Sequence, residues 1–156
     1  ILPVTPEGGG TPTQHVFRDY VPRVLAEKEL LTRPHWLIPA HYAAPQTARV
    51  AIELLMDAGK EARPDGLIVA DDQFVPEVVE GLLRAGVAAP EKVTVIAHCN
   101  HPWPPDVRVP VSWLGFDARQ VLATCLNILL DTRQAGTAPR QLDVPAVFAE
   151  EVKAEA

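Results

Sequence analysis

Apolar and polar positions alternate along the chain in a pattern that predicts strands separated by helices. Short apolar runs predict strands at residues 1–4, 35–38, 66–70, 93–97, 109–113 and 142–148. Apolar residues at helical spacing predict helices that begin near Thr11, Pro45, Val75 and Asp117. This alternation is typical of a parallel sheet that helices cover on both faces. We therefore expect an α/β fold with a three-layer, Rossmann-like sheet of about five mainly parallel strands.

Prolines and single side chains add local expectations to this pattern. Pro22 falls inside the first helix and should kink or split it. The proline-rich residues 98–107 predict an irregular loop. Trp36 lies in an apolar run, which indicates a core position. Cys125 shares one face of the last helix with three leucines and is expected to be a core thiol; these leucines are Leu122, Leu126 and Leu129.

Length and charge then limit the class of protein. A chain of 156 residues is the size of one ordinary domain. Its 14 Lys+Arg against 20 Asp+Glu give a net charge of −6, which opposes binding to phosphate backbones and anionic membranes. No apolar run approaches the roughly 20 residues of a membrane helix, so we expect a soluble protein. Two cysteines are too few for a disulfide scaffold and suit a reducing compartment.

The first residue suggests that the chain is part of something longer. The chain begins with Ile1 rather than Met, and its single methionine is Met56. We therefore expect a processed or excised piece of a longer protein.

Polar side chains follow several predicted strands at the points where those strands end. In parallel sheets, ligands bind beyond the carboxyl ends of the strands. The candidates that this rule selects are His41, Tyr42, Asp71, Asp72 and residues 98–101. The sequence therefore predicts a small-molecule site formed from these residues.

Each candidate also allows other chemistry. Asp71 and Asp72 could form a catalytic pair, but successive residues leaving a strand point to opposite sides, so they should not share a proton. We expect one to face the ligand and the other to cap the next helix. The types of His98, Cys99 and His101 would suit zinc, yet a plain pocket or surface loop is the preferred interpretation. We predict no catalytic residue, no metal and no cofactor.

Residues 63–131 carry an ordered series of family motifs. The segment Pro64 to Asp72 reads PDGLIVADD, and Gly86 to Ile96 reads GVAAPEKVTVI. These segments, with the long helix beyond them, resemble the sensor domain of LacI/GalR-type transcription regulators. That family has PDAIxxxND, then GxxVPxDVxVxGFDD, then PxLTTV before an amphipathic helix. The resemblance implies a periplasmic-binding-protein-like lobe.

The resemblance also implies roles for particular residues. Asp71 stands where the family has an asparagine that commonly hydrogen-bonds the effector, and a carboxylate there would prefer hydroxyls or a cationic group. Tyr42 stands where the family often has an aromatic residue that stacks on a sugar face in the pocket. Arg18 lies within about one residue of the position of a family arginine that contacts the effector. Cys99 and Asn100 replace the two aspartates of GFDD, which departs from a simple sugar site. The implied ligand-binding set is Asp71, Asp72, Tyr42, His41, Cys99, Asn100 and Arg18.

The implied function is effector sensing by a cytoplasmic, homodimeric transcription regulator that is not an enzyme. Residues 1–10 would end the preceding lobe and its linker, residues 11–150 would form the C-terminal lobe, and residues 151–156 would be a frayed tail. A small polar effector would bind here, and DNA would be bound only by a helix-turn-helix absent from this chain. The alternatives are a periplasmic solute-binding protein of a transporter, and an enzyme that uses Asp71 or Cys99.

Overall fold

In the structure, a computed structural model, the chain forms two compact units. The structure describes residues 2–4, 12–59, 62–135 and 142–152, with side chains from residue 19 to 131 (apart from 60 and 61) and from 142 to 152. Unit 1 comprises Ile1–Ala97 and Pro105–Val111, and unit 2 comprises His98–Pro104 and Ser112–Ala156.

Unit 1 alternates strands with helices. Its regular elements are β1 (Leu2–Val4), α1 (Pro12–Glu27), β2 (Pro39–His41), α2 (Gln46–Asp57), β3 (Gly66–Val69), α3 (Val75–Arg84) and the first half of β4 (Thr94–His101). Short 3-10 turns lie at Pro34–Trp36 and Asp72–Phe74. Strands β1 and β2 pair in parallel, and so do β3 and β4, in the register Gly66↔Thr94 to Val69↔Ala97. The chain is therefore an α/β protein in which parallel pairing predominates.

Helices α2 and α3 pack against each other and build the core of unit 1. The fully or almost fully buried apolar residues there include Ile52, Met56, Phe74, Val75, Val78, Val79 and Leu82. Gly81 allows the close approach, because a Cβ at that position would lie 2.8 Å from the backbone oxygen of Arg49. An ion-pair network borders the contact, in which Arg49 lies 3.7 Å from Glu77 and Arg84 lies 2.9 Å from Glu80.

Unit 2 consists of the second half of β4, then β5 (Ser112–Asp117), α4 (Ala118–Ala135), β6 (Val147–Phe148) and a 3-10 turn at Ala149–Glu151. Strands β5 and β6 pair antiparallel, with Leu114 opposite Phe148. His101 is 2% exposed and its Nε2 lies 3.2 Å from the Val147 carbonyl oxygen, which it joins by a hydrogen bond. This bond ties the end of β4 to β6.

The α/β class is confirmed, but the strand arrangement differs from the prediction. The described strands form a four-stranded sheet in the order β3-β4-β5-β6 and a separate pair of β1 and β2, rather than one sheet of about five. The strand predicted at 35–38 is wrong, because Pro34 begins a 3-10 turn there and the strand starts at Pro39. Helix α1 also runs through Pro22 without a break.

Strand β4 is longer than predicted, and the strand after it begins later. Residues 98–101 continue β4 instead of starting a loop. The period-2 burial continues past Ala97 to Cys99 and His101, whose polar types conceal the alternation in the sequence. The strand expected at 109–113 starts at Ser112.

The buried positions of α4 also differ from the prediction. Cys125 is exposed, so the expectation of a core thiol is wrong. Leu122, Leu126 and Leu129 on the same face are 60–63% exposed.

Candidate functional site

Two predicted residues, Tyr42 and Asp71, meet in unit 1. Tyr42 directly follows β2, and Asp71 lies two residues beyond the end of β3. The Tyr42 hydroxyl donates a hydrogen bond of 2.5 Å to Oδ2 of Asp71, across 29 residues of sequence. The two side chains therefore form a polar pair beyond the carboxyl ends of β2 and β3, each of which pairs in parallel with another strand; ligands bind beyond such strand ends in parallel sheets.

Asp71 holds its position through a second bond. Its Oδ1 accepts a hydrogen bond of 3.0 Å from the backbone N–H of Gln73 and caps the 3-10 turn at Asp72–Phe74. Asp71 therefore both caps this turn and accepts the bond from Tyr42, while ligand contact by Asp71 or Asp72 stays a prediction. Asp72 begins the turn and is half-buried.

The Tyr42 ring is supported by Phe74. The two rings stack with their centroids 5.3 Å apart and an interplanar angle of 25°. Phe74 is fully buried, whereas Tyr42 keeps 43% of its surface exposed. Tyr42 therefore combines an anchored ring with accessible surface, which is the arrangement of a stacking platform. Phe74 was not among the residues predicted for the site, although an aromatic residue three positions beyond Asp71 is a usable sequence signal.

The electrostatics of the pair keep the phenol neutral. Burial, the hydrogen bond to Asp71 and the negative charges of Asp71 and Asp72 together raise the pKa of Tyr42 to about 12. All these causes disfavour a phenolate in this position. The Tyr42 hydroxyl consequently keeps its proton over the physiological range and remains the donor to Asp71.

The other predicted residues have different surroundings. His41 is half-buried, and its Nδ1 accepts a hydrogen bond of 3.0 Å from the backbone N–H of Ala43. Cys99 is fully buried in unit 2, with its Sγ 3.5 Å from Nδ1 of His101, whereas Asn100 is exposed. The Arg18 side chain lies outside the described side chains. Ligand contact by these residues stays a prediction.

A cavity of about 590 Å³ also lies in unit 1, but its chemistry differs. It borders the first residues of β3 and β4, Gly66 and Thr94, and its wall is mostly apolar, with Leu25, Trp36 and Ile68 contributing. It is therefore located away from the strand ends that carry Tyr42 and Asp71. Trp36 is half-buried there rather than a core residue.

The described residues also bear on metal binding and on membrane crossing. They contain no group of three or more His, Cys, Asp or Glu side chains placed to hold a metal ion. None of their helices combines the length and apolar character needed to cross a membrane.

Comparison with known proteins gives one family. Residues 4–148 match the family of periplasmic binding protein-like domains. No curated protein matches the chain at a significant level.

Solved structures with the same fold include LacI-family regulators. A LacI family transcriptional regulator from Lactobacillus casei with bound sucrose has a TM-score of 0.69 and 16% identity, over 94% of this chain and 53% of that one. The same regulator with bound glucose has a TM-score of 0.68 and 15% identity, over 94% and 52%. A regulatory protein of the LacI family from Chloroflexus aggregans has a TM-score of 0.76 and 13% identity, over 94% and 52%. The chain spans about half the length of these structures, and at such identities the likeness shows the fold.

Proposed function

The chain belongs to the family of periplasmic binding protein-like domains, and we propose from this that it senses a small polar molecule for a LacI-type transcription regulator. The observation that carries the proposal is the hydrogen-bonded pair of Tyr42 and Asp71 beyond the strand ends. A polar group and an aromatic platform at this edge are what a hydroxylated ligand requires.

The chemistry of the pair supports binding rather than catalysis. Asp71 accepts hydrogen bonds from both Tyr42 and Gln73. An ionised carboxylate can accept further bonds from ligand hydroxyls but has no proton to give to a leaving group. The similar regulator from Lactobacillus casei was solved with sucrose and with glucose, which makes sugars the first ligands to try on this chain.

In the whole protein, residues 11–150 would form the C-terminal lobe of a cytoplasmic homodimer whose DNA-binding part lies outside this chain. The effector would bridge two lobes and favour one of their relative orientations. That change would alter the spacing of the DNA-binding heads. Only an effector that binds the two orientations with different affinity could shift this equilibrium. The remaining ligand contacts in this proposal come from Asp72 and His41, which adjoin Asp71 and Tyr42 in the sequence and belong to the same unit.

Thermal unfolding in the presence of sugars tests the binding role. A ligand that binds only the folded state raises the midpoint in proportion to the logarithm of its concentration. We expect such a rise with at least one compound from a panel of neutral, amino and acidic sugars. Asp71→Ala should reduce the rise strongly, and Tyr42→Ala should do the same.

Asp65→Ala is the matched control, because Asp65 is an exposed aspartate at the other end of β3. It should leave the rise intact. An unchanged rise in Asp71→Ala would show that the ligand binds elsewhere. The absence of a rise with every sugar in the panel would contradict the proposed function.

A further inference from the structure

We propose that the ligand of the Tyr42–Asp71 site carries a protonated amine beside its hydroxyl groups, which places it in the class of amino sugars and similar aminopolyols. This inference rests on the proposed function, since it concerns the same site. Three features of the described residues support it: the direction of the hydrogen bonds, the unpaired negative charge and the exposed aromatic ring.

The first feature is that this pair of side chains offers acceptors and no free donor. Tyr42 gives its one hydroxyl proton to Oδ2 of Asp71, so its oxygen faces a ligand only as an acceptor. Asp71 is acceptor-only when ionised, and Asp72 adds two more acceptor oxygens. A ligand that meets these three side chains must therefore donate. Phosphate and carboxylate groups, which bring negative charge and further acceptors, are unsuitable here.

The second feature concerns the charge partners of Asp71 and Asp72. Five other acidic residues among the described side chains each lie within 3.8 Å of an arginine nitrogen; they are Glu27, Glu53, Glu77, Glu80 and Asp117. Among the side chains that the structure describes, neither Asp71 nor Asp72 has such a partner. Both are half-buried. A ligand that covers them removes more of their hydration, and this costs free energy unless the ligand supplies a positive charge.

The third feature is the Tyr42 ring. Phe74 packs against it, yet 43% of Tyr42 remains exposed. An ammonium group near a tyrosine ring gains a cation–π attraction in addition to its bonds with carboxylates. A neutral sugar would gain the stacking contact and its hydroxyl bonds but not this charge term. The combination of a carboxylate pair and an exposed ring thus favours the cationic ligand.

Calorimetric titration with three sugars of one ring scaffold tests the inference. The probes are D-glucosamine, D-glucose and D-glucuronate, at a pH where the amine is protonated. Because a hydrogen bond between charged groups is stronger than a neutral one, we expect glucosamine to bind at least about tenfold more tightly than glucose. Glucuronate should bind most weakly. Added salt should weaken glucosamine binding more than glucose binding.

Asp71→Asn keeps the shape of the side chain and removes its charge. It should reduce the preference for glucosamine over glucose to about twofold or less, by weakening the amine contact. Asp65→Asn makes the same chemical change at the opposite end of β3 and should leave the preference unchanged.

The possible results separate this inference from the proposed function. Equal or tighter binding of glucose in the unsubstituted chain would overturn the inference and leave the sensing role standing. A glucosamine preference that survives in Asp71→Asn would also overturn it, since the charge would then come from elsewhere. If none of the three sugars bound, the inference would also be overturned, and the wider sugar panel would then test the sensing role separately.

Discussion

Helices α3 and α4 are both amphipathic by sequence, but their apolar residues have very different surroundings. In α3, Val75, Val78 and Leu82 are completely buried. In α4, the leucine face formed by Leu122, Leu126 and Leu129, to which we refer as the leucine stripe, is 60–63% exposed. The half-buried positions of α4 are instead Val121, Thr124 and Ile128.

The difference shows what helical periodicity can and cannot predict. A spacing of three and four residues places apolar side chains on one face and thereby predicts a helix. It contains no information about which surface will cover that face. Helix α3 has a partner in α2, with Gly81 allowing close contact. The leucine stripe has no comparable cover in the described structure.

The sharpest test compares one leucine from each helix. Leu82→Ala in α3 leaves a cavity at a completely buried position and should lower the free energy of unfolding by about 2–5 kcal/mol. Leu126→Ala in α4 removes a side chain that is 60% exposed and should change it by no more than about 0.5 kcal/mol. Urea unfolding followed by circular dichroism measures both.

The two variants are matched, since each shortens a leucine to alanine within a helix, where propensity is nearly unchanged. A large loss in Leu126→Ala would mean that the leucine stripe is covered in solution, and the contrast between the helices would disappear. A negligible loss in Leu82→Ala would contradict the packing of α2 on α3.

A second test asks whether the close contact of α3 with α2 accounts for the difference between α3 and α4. In Gly81→Ala the new methyl would lie 2.8 Å from the Arg49 carbonyl oxygen and 2.9 Å from Cβ of Ile52. Either α2 or α3 must move, and we expect a loss of about 1–3 kcal/mol in the free energy of unfolding. Thermal or urea unfolding provides the measurement.

Gly66→Ala is the control for this second test, because a Cβ at Gly66 meets nothing within 4 Å. It should be neutral or slightly stabilising, since alanine restricts the unfolded chain. A Gly81→Ala variant as stable as Gly66→Ala would show that α2 and α3 are less tightly packed than the structure indicates.

Local sequence signals predicted α2, β3 and α3 well. Pro45 precedes α2, and Gly86, which follows α3, has a φ of +65° that suits glycine. The prediction failed where polar types hide burial, as at Cys99 and His101 in β4. It failed again at residues 35–38, where a proline turn replaces an apolar strand.

The candidate site was predictable in part. The rule that ligands bind beyond strand ends selected Tyr42 and Asp71 separately. Their hydrogen bond joins residues 29 positions apart and depends on how two strand ends are placed, which local pattern does not specify. The support from Phe74 is likewise a tertiary contact. Sequence thus identified the chemistry of the pair, and the structure supplied its geometry.

The smallest expected effect concerns charges at the two helices. Glu80 in α3 bonds to Arg84 at 2.9 Å and also to Arg108. The hydrogen bond from Arg84, followed by the charges of both arginines, lowers the pKa of Glu80 below its ordinary value of 4.5. Because the folded pKa is the lower one, the stabilisation is present above pH 4.5 and is lost as the pH falls through the folded pKa.

Glu80→Gln should therefore be slightly less stable than the unsubstituted chain at neutral pH, and the difference should shrink on acidification. Salt should reduce it as well, because these charges are exposed.

Asp117→Asn, at the start of α4, is the companion variant: Arg119 bonds to Asp117 from only two residues away and lowers its pKa. Since Arg108 approaches Glu80 from a distant segment, unfolding separates that pair more completely than the local one. Urea unfolding at neutral and acidic pH should accordingly show the larger pH-dependent change for Glu80→Gln, and a larger change for Asp117→Asn would contradict this account.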